Sequence, residues 1–135
     1  MKLERKWRRR ALVLLALALV LTGVTNFAPK TTGYRQVTTE EAVNIMQTEE
    51  NYVILDVRTA QEFASGHIPG AILIPNEAIG TEEIVQLPDK DQLILVYCRS
   101  GNRSKQAADK LARLGYTNIV EFGGINSWPG EIVTE

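Results

Sequence analysis

Apolar and polar positions follow two periods along this chain, and the switches between them predict its elements. The runs YVILDV at 52–57 and LILVY at 93–97, with shorter ones at 71–74 and 118–122, are nearly continuous and too short for helices. Such runs suit strands buried on both faces. Tyr34 to Val37 reads as a short first strand. Between the runs the period becomes helical. Ala42, Ile45 and Met46 share one face behind Thr38-Thr39-Glu40-Glu41, whose spacing fits a capping box with Thr38 as N-cap. Thr59-Ala60-Gln61-Glu62 repeats the box and predicts about one turn of helix, ending near Ser65-Gly66. Ala107, Ala108, Leu111 and Leu114 recur at helical spacing until Gly115 supplies a stop. A weaker helix is expected around Thr81 to Gln86, and His67-Ile68-Pro69-Gly70 is turn chemistry. Trp128 and Pro129 are expected to pack the C-terminal loop back on the body.

Strands alternating with helices are βα units, which give an α/β fold with a parallel sheet. In such sheets sites lie beyond the carboxyl ends of the strands. Asp56, Cys98 and Gly123 all fall at such ends. Cys98 is the only cysteine, and six polar or glycine residues follow it, Arg99, Ser100, Gly101, Asn102, Arg103 and Ser104, before the helical period starts. A buried, inert core cysteine is the alternative, but such cysteines are rarely followed by such a stretch. The first turn of a helix offers unpaired N–H groups and the positive end of the helix dipole. Beside that turn and two arginines, a thiol is expected to fall from about 8.5 towards roughly 3.5–7.5 and act as a nucleophile. Gly101 lets the backbone turn tightly enough to aim its N–H groups inward.

Charge divides the chain further. The first ten residues hold six of the fifteen Lys and Arg residues against one acid, so the remaining nine bases and fifteen acids leave the body near −6. An acidic body argues against a nucleic-acid partner. Residues 11–21, ALVLLALALVL, follow the basic start in the layout of an export signal. Residues 1–24 are therefore expected to be a signal or an N-terminal apolar anchor helix in the membrane, 25–33 a linker, and 34–135 the domain. Leu21-Thr22-Gly23 resembles a lipoprotein box, but Val24 stands where the lipidated cysteine would be. Either outcome, cleaved or anchored, places the domain outside the cytoplasm, in the cell envelope. With one cysteine it has no internal disulfide, and its thiol has no resolving partner within the chain.

Leu55-Asp56-Val57-Arg58 with Glu62-Phe63, Gly66-His67-Ile68-Pro69-Gly70-Ala71, the loop Cys98 to Ser104, and Gly123-Gly124 ahead of Trp128 stand in an order that resembles the single-domain rhodanese family. The likeness covers about 34–135. It implies a five-stranded parallel sheet flanked by helices, and a sulfurtransferase in which Cys98 carries sulfane sulfur as a persulfide from a donor such as thiosulfate to a thiol or cyanide-like acceptor. It implies Arg99, Ser100, Gly101, Asn102, Arg103 and Ser104 as the substrate-binding loop, and no metal or organic cofactor. Asp56 and Arg58 are candidates for supporting the loop, and Arg58 with Glu62 for a structural ion pair. His67, the only histidine, is read as structural. Two other functions use the same cysteine: a membrane-tethered persulfide carrier that hands sulfur to a protein acceptor, and a phosphatase or arsenate-reductase relative. The latter is disfavoured, because those enzymes use C-x5-R and this loop is C-x4-R, with Ser104 where their arginine would stand.

Overall fold

The computed structural model describes residues 33–135. The expected export segment at 1–24 and the linker up to Thr32 lie outside the described residues. No helix among the described residues is long and apolar enough to cross a membrane.

The elements run β1 (Arg35–Gln36), α1 (Thr39–Thr48), β2 (Tyr52–Asp56), α2 (Ala60–Ser65), β3 (Ile72–Leu73), β4 (Leu93–Cys98), α3 (Asn102–Arg113) and β5 (Ile119–Gly124). Single 3₁₀ turns occupy Asn76–Ala78 and Ile125–Ser127. The five strands form one sheet in the order β1-β5-β4-β2-β3, and every pair is parallel. The expected architecture is thus present, with the cysteine-bearing strand at its centre.

Burial on both faces explains the continuous apolar runs. Ile94, Val96 and Cys98 point towards one core, which α3 covers with Ala107, Ala108 and Leu111. Leu95 and Tyr97 point towards the other, where Ala42 of α1, Ile54, Val120 and Phe122 meet them. Trp128 packs on Phe122, ring centroids 5.9 Å apart, and so brings the C-terminal loop onto this second core. Both predicted capping boxes are formed: Thr38 Oγ1 accepts from the Glu41 N–H and Thr59 Oγ1 from the Glu62 N–H, while each glutamate side chain returns to its cap. Each satisfies N–H groups that a helix start otherwise leaves unpaired.

The helix expected over 81–86 is absent. Ile84 and Leu87 are buried and Val85 is 87% exposed, a turn with two inward residues closed by the Leu87 N–H on the Ile84 carbonyl. Unlike the equally short α2, this stretch has no capping box, since Ile84 stands three residues after Thr81, and Pro88 closes it. The local helical turn lies earlier, at Asn76–Ala78, behind Pro75 with its φ of −56°.

Candidate active site

Strand β4 ends on Cys98, and the chain turns at once into α3. Gly101 is the N-cap of α3 with φ +112°, a left-handed conformation that favours glycine. That turn aims its N–H at the sulfur, 3.0 Å from Cys98 Sγ. The first turn of α3 contains no acid, and Lys110 and Arg113 stand in its last turn. The helix therefore presents an unopposed positive end to whatever charge Cys98 bears. A second close approach fixes the loop from behind. Gly124 lies directly against the Arg99 carbonyl, where a Cβ would overlap it, and the Asn126 N–H donates to that carbonyl at 3.2 Å. The glycine pair at the end of β5 is thus what lets the cysteine loop sit on the strand.

Cys98 is 1% exposed. Burial pushes its thiol up, but hydrogen bonds from the Ser104 hydroxyl and from the N–H groups of Ser104, Gly101 and Ser100 outweigh that, and the thiol lies below its ordinary value. The donors that stabilise its anion are amides and a hydroxyl, which form a cradle for a negatively charged sulfur.

The predicted loop residues separate into two groups. Arg99, Ser100 and Asn102 are exposed, and Arg99 makes no ion pair among the described residues. Gly101 and Ser104 are buried. Arg103 bridges to α2, its Nη1 and Nη2 reaching Glu62 Oε1 and Oε2 at 2.7 and 2.9 Å. This bidentate hydrogen bond from Arg103 is the largest cause that takes the Glu62 carboxyl from 4.5 to about 2.

The pairing of Arg58 with Glu62 is corrected here. Arg58 instead grips Asp56, with Nη2 2.6 Å from Oδ2 and Nε 3.0 Å from both oxygens, and donates from Nη2 to the Gly66 carbonyl at 2.7 Å. The reason is competition: Asp56, two residues away, takes Arg58, and Arg103 takes both oxygens of Glu62. Asp56 and Arg58 accordingly brace the Gly66–Ile68 turn, with the Ile68 N–H held by the Tyr97 hydroxyl at 3.1 Å. None of the Asp56 and Arg58 hydrogen bonds reaches residues 99–104. His67 is 4% exposed, stacks on Phe63 at 3.7 Å, and places Nδ1 2.8 Å from the Phe63 carbonyl. That is a structural environment.

One residue the strand pattern passed over stands next to the cysteine. Glu121 of β5 is 2% exposed, and its Oε1 accepts from Ser104 Oγ at 2.6 Å and from the Gly123 N–H at 2.8 Å. Its signal in the sequence was a single acid inside the otherwise apolar run NIVEF.

A parallel α/β domain that holds a cysteine in an amide-lined turn at the centre of its sheet has the layout of a cysteine-dependent group-transfer site. The family described as Rhodanese-like domain matches residues 38–131, and the chain belongs to it. The chain is 35% identical over 71 residues to thiosulfate sulfurtransferase PspE of Escherichia coli, covering 53% of this chain and 68% of that protein. It is 39% identical over 80 residues to a sulfurtransferase of Allochromatium vinosum, covering 58% and 73%. In structure it is similar to a rhodanese-related protein from Thermoplasma volcanium, with TM-score 0.63, 30% identity, and 76% of this chain and 100% of that one covered. The group it transfers is sulfur.

Proposed function

We propose that the protein moves a sulfane sulfur from a small anionic donor of the thiosulfate type to a thiophilic acceptor, through a persulfide on Cys98. The observation that carries this reading is the sulfur of Cys98 resting 3.0 Å from the Gly101 N–H, at a helix start and with its thiol lowered. Thiosulfate as donor is supported by the name of the Escherichia coli relative. The Cys98 thiolate attacks the outer sulfur; the new S–S bond forms as the old one breaks, and sulfite leaves with the electron pair. The persulfide keeps its negative charge among the loop amides. A nucleophilic acceptor, cyanide or a thiolate, then attacks the terminal sulfur and releases Cys98 as a thiolate, so no outside oxidant or reductant is needed. Arg99, exposed beside the loop, draws the dianionic donor in.

The proposal includes a place, outside the cytoplasm, and its support is the basic start and apolar run of residues 1–21. Protease added to cells whose outer permeability barrier has been opened should cut the full chain while sparing a cytoplasmic control. Protection equal to that control sinks the location.

Chemistry is tested by intact mass on purified protein, before and after thiosulfate. The parent should gain one sulfur atom and lose it to cyanide; Cys98→Ser should gain none. No gain in a folded, reduced parent removes the persulfide reading. Loading without turnover on cyanide or small thiols would turn the assignment to a carrier for a protein acceptor.

A further inference from the structure

Cys98, Ser104 and Glu121 lie in a line through the interior, and their hydrogen bonds cannot all be made with the protons present. Ser104 Oγ is 2.6 Å from Glu121 Oε1, 3.0 Å from the Gly101 carbonyl, 3.3 Å from the Gly123 carbonyl and 3.4 Å from Cys98 Sγ. A hydroxyl has one proton to give. The shortest contact, to a carboxylate, takes it. Oγ then faces the sulfur as an acceptor, and the hydrogen between them is the thiol's own. A thiolate reverses the demand, because the anionic sulfur calls for the Ser104 proton as its donor. Glu121 would then be a buried carboxylate stripped of its best donor, with no ion pair among the described residues, one hydroxyl away from a second anion. Two such anions in the interior exclude each other.

We infer that Glu121 is the internal base of the reaction, taking the Cys98 proton through Ser104. As the thiol ionises, its proton passes to Ser104 Oγ and the Ser104 proton passes to Glu121 Oε1. One proton moves in two hops, and no electrons are exchanged. The thiolate gains the Ser104 O–H as a donor, and Glu121 becomes a neutral acid that needs no cation. While the sulfur stays anionic, as thiolate or persulfide, the acid holds the proton, and the proton returns when Cys98 is again a thiol. Ser104 touches the reacting sulfur and relays the proton, and Glu121 acts on that sulfur only through Ser104. The other charges nearby are Arg99 and Arg103 of the loop, Glu62 of α2, which holds Arg103, and Glu77, which acts on Arg103 from a distance. Arg103 and Glu62 are already matched to each other, which leaves Glu121 as the buried base bonded into the cysteine's own network.

This inference rests on Cys98 as the nucleophile, and its test uses a reagent that needs no sulfur chemistry. Alkylation of Cys98 by iodoacetamide is followed against pH in the parent, Glu121→Gln and Ser104→Ala. At neutral pH both variants should react at least about tenfold more slowly, within the range of a lost general base, with the double variant no slower than either single one. Towards and above the ordinary thiol value of about 8.5 the three rates should converge, because hydroxide then removes the proton without a relay. A Glu121→Gln rate equal to the parent's throughout overturns the inference. So does a deficit that persists at high pH, which marks a packing role. Should the variants not fold, infrared difference spectra of the free parent against pH decide the matter: as the S–H stretch of Cys98 is lost on raising the pH, the carbonyl stretch of a protonated carboxylic acid must appear, and its absence overturns the relay. A slow-alkylating variant beside a parent that never loads sulfur would sink the proposed function while leaving the relay standing.

Discussion

Arg99 and Arg103 carry the same charge in the same loop and do different work. Arg103 is bound at both nitrogens by Glu62 and ties α3 to α2. Arg99 is held only by its backbone, through the Asn126 N–H and the abutting Gly124, and its guanidinium is left to the solvent at the mouth of the site. An exposed cation steers a dianion and is screened by salt. Arg99→Ala should therefore raise KM for thiosulfate by about fivefold at low salt with little change in kcat, and the difference should shrink as salt is added. A fall in kcat with KM unchanged would mean that Arg99 acts on the reacting sulfur instead. The sequence already singled out Cys98 and the six loop residues, because a polar stretch after an apolar strand is a local signal. It could not separate Arg99 from Arg103, since that difference depends on Glu62, 41 positions away from Arg103.

At the level of elements, α2 shows how a short helix is held. It has six residues and no buried one, so packing contributes little, and its start is fixed by the Thr59–Glu62 box. Glu62 serves that box and the Arg103 bridge together. Its carboxyl is depressed from 4.5 to about 2, so the stabilisation it gives is complete above pH 4.5 and is lost as pH falls through about 2. In urea titrations Glu62→Gln should be less stable than the parent at neutral pH, and the gap should close as both are taken from about pH 5 to pH 2. A gap independent of pH would show that shape, and not charge, holds the bridge. The two capping boxes were legible because Thr and Glu three residues apart bond within one turn. The expected helix at 81–86 failed because Ile84 and Leu87 mimic a helical face in a stretch without the capping box that starts α2. The Arg58–Glu62 pairing failed because each side chain has a better partner, Asp56 for Arg58 and the distant Arg103 for Glu62.

The described domain closes on its C-terminal segment. His67 and Val133 exchange both backbone hydrogen bonds, at 2.8 and 2.9 Å, and Gly66 leaves no room for a side chain beneath Ile132. The tail thus strands itself against the same turn that Asp56, Arg58 and Tyr97 hold from below. Two net hydrogen bonds of about 1 kcal/mol each predict that removing residues 132–135 costs about 2 kcal/mol, or on the order of 10 °C in Tm for a domain of this size. An unchanged Tm would show the pairing to be incidental. The α/β class and the parallel sheet of this body follow from βα alternation, but the strand order does not. The pairings that complete the site, Ser104 with Glu121 and Gly124 with Arg99, join residues brought together only by the neighbouring positions of β4 and β5 in the sheet, and no spacing within the chain announces them.

Because β5 lies between β1 and β4, the last strand to be made is an interior one, and the first strand has no partner until it arrives. A chain interrupted before Ile119 contains Cys98 and its loop but neither Glu121 nor the glycines on which the loop rests. Such long-range parallel pairing is also slow to form. Folding of this body therefore waits on β5, and the cradle around the reactive sulfur is complete only once that strand has joined the sheet.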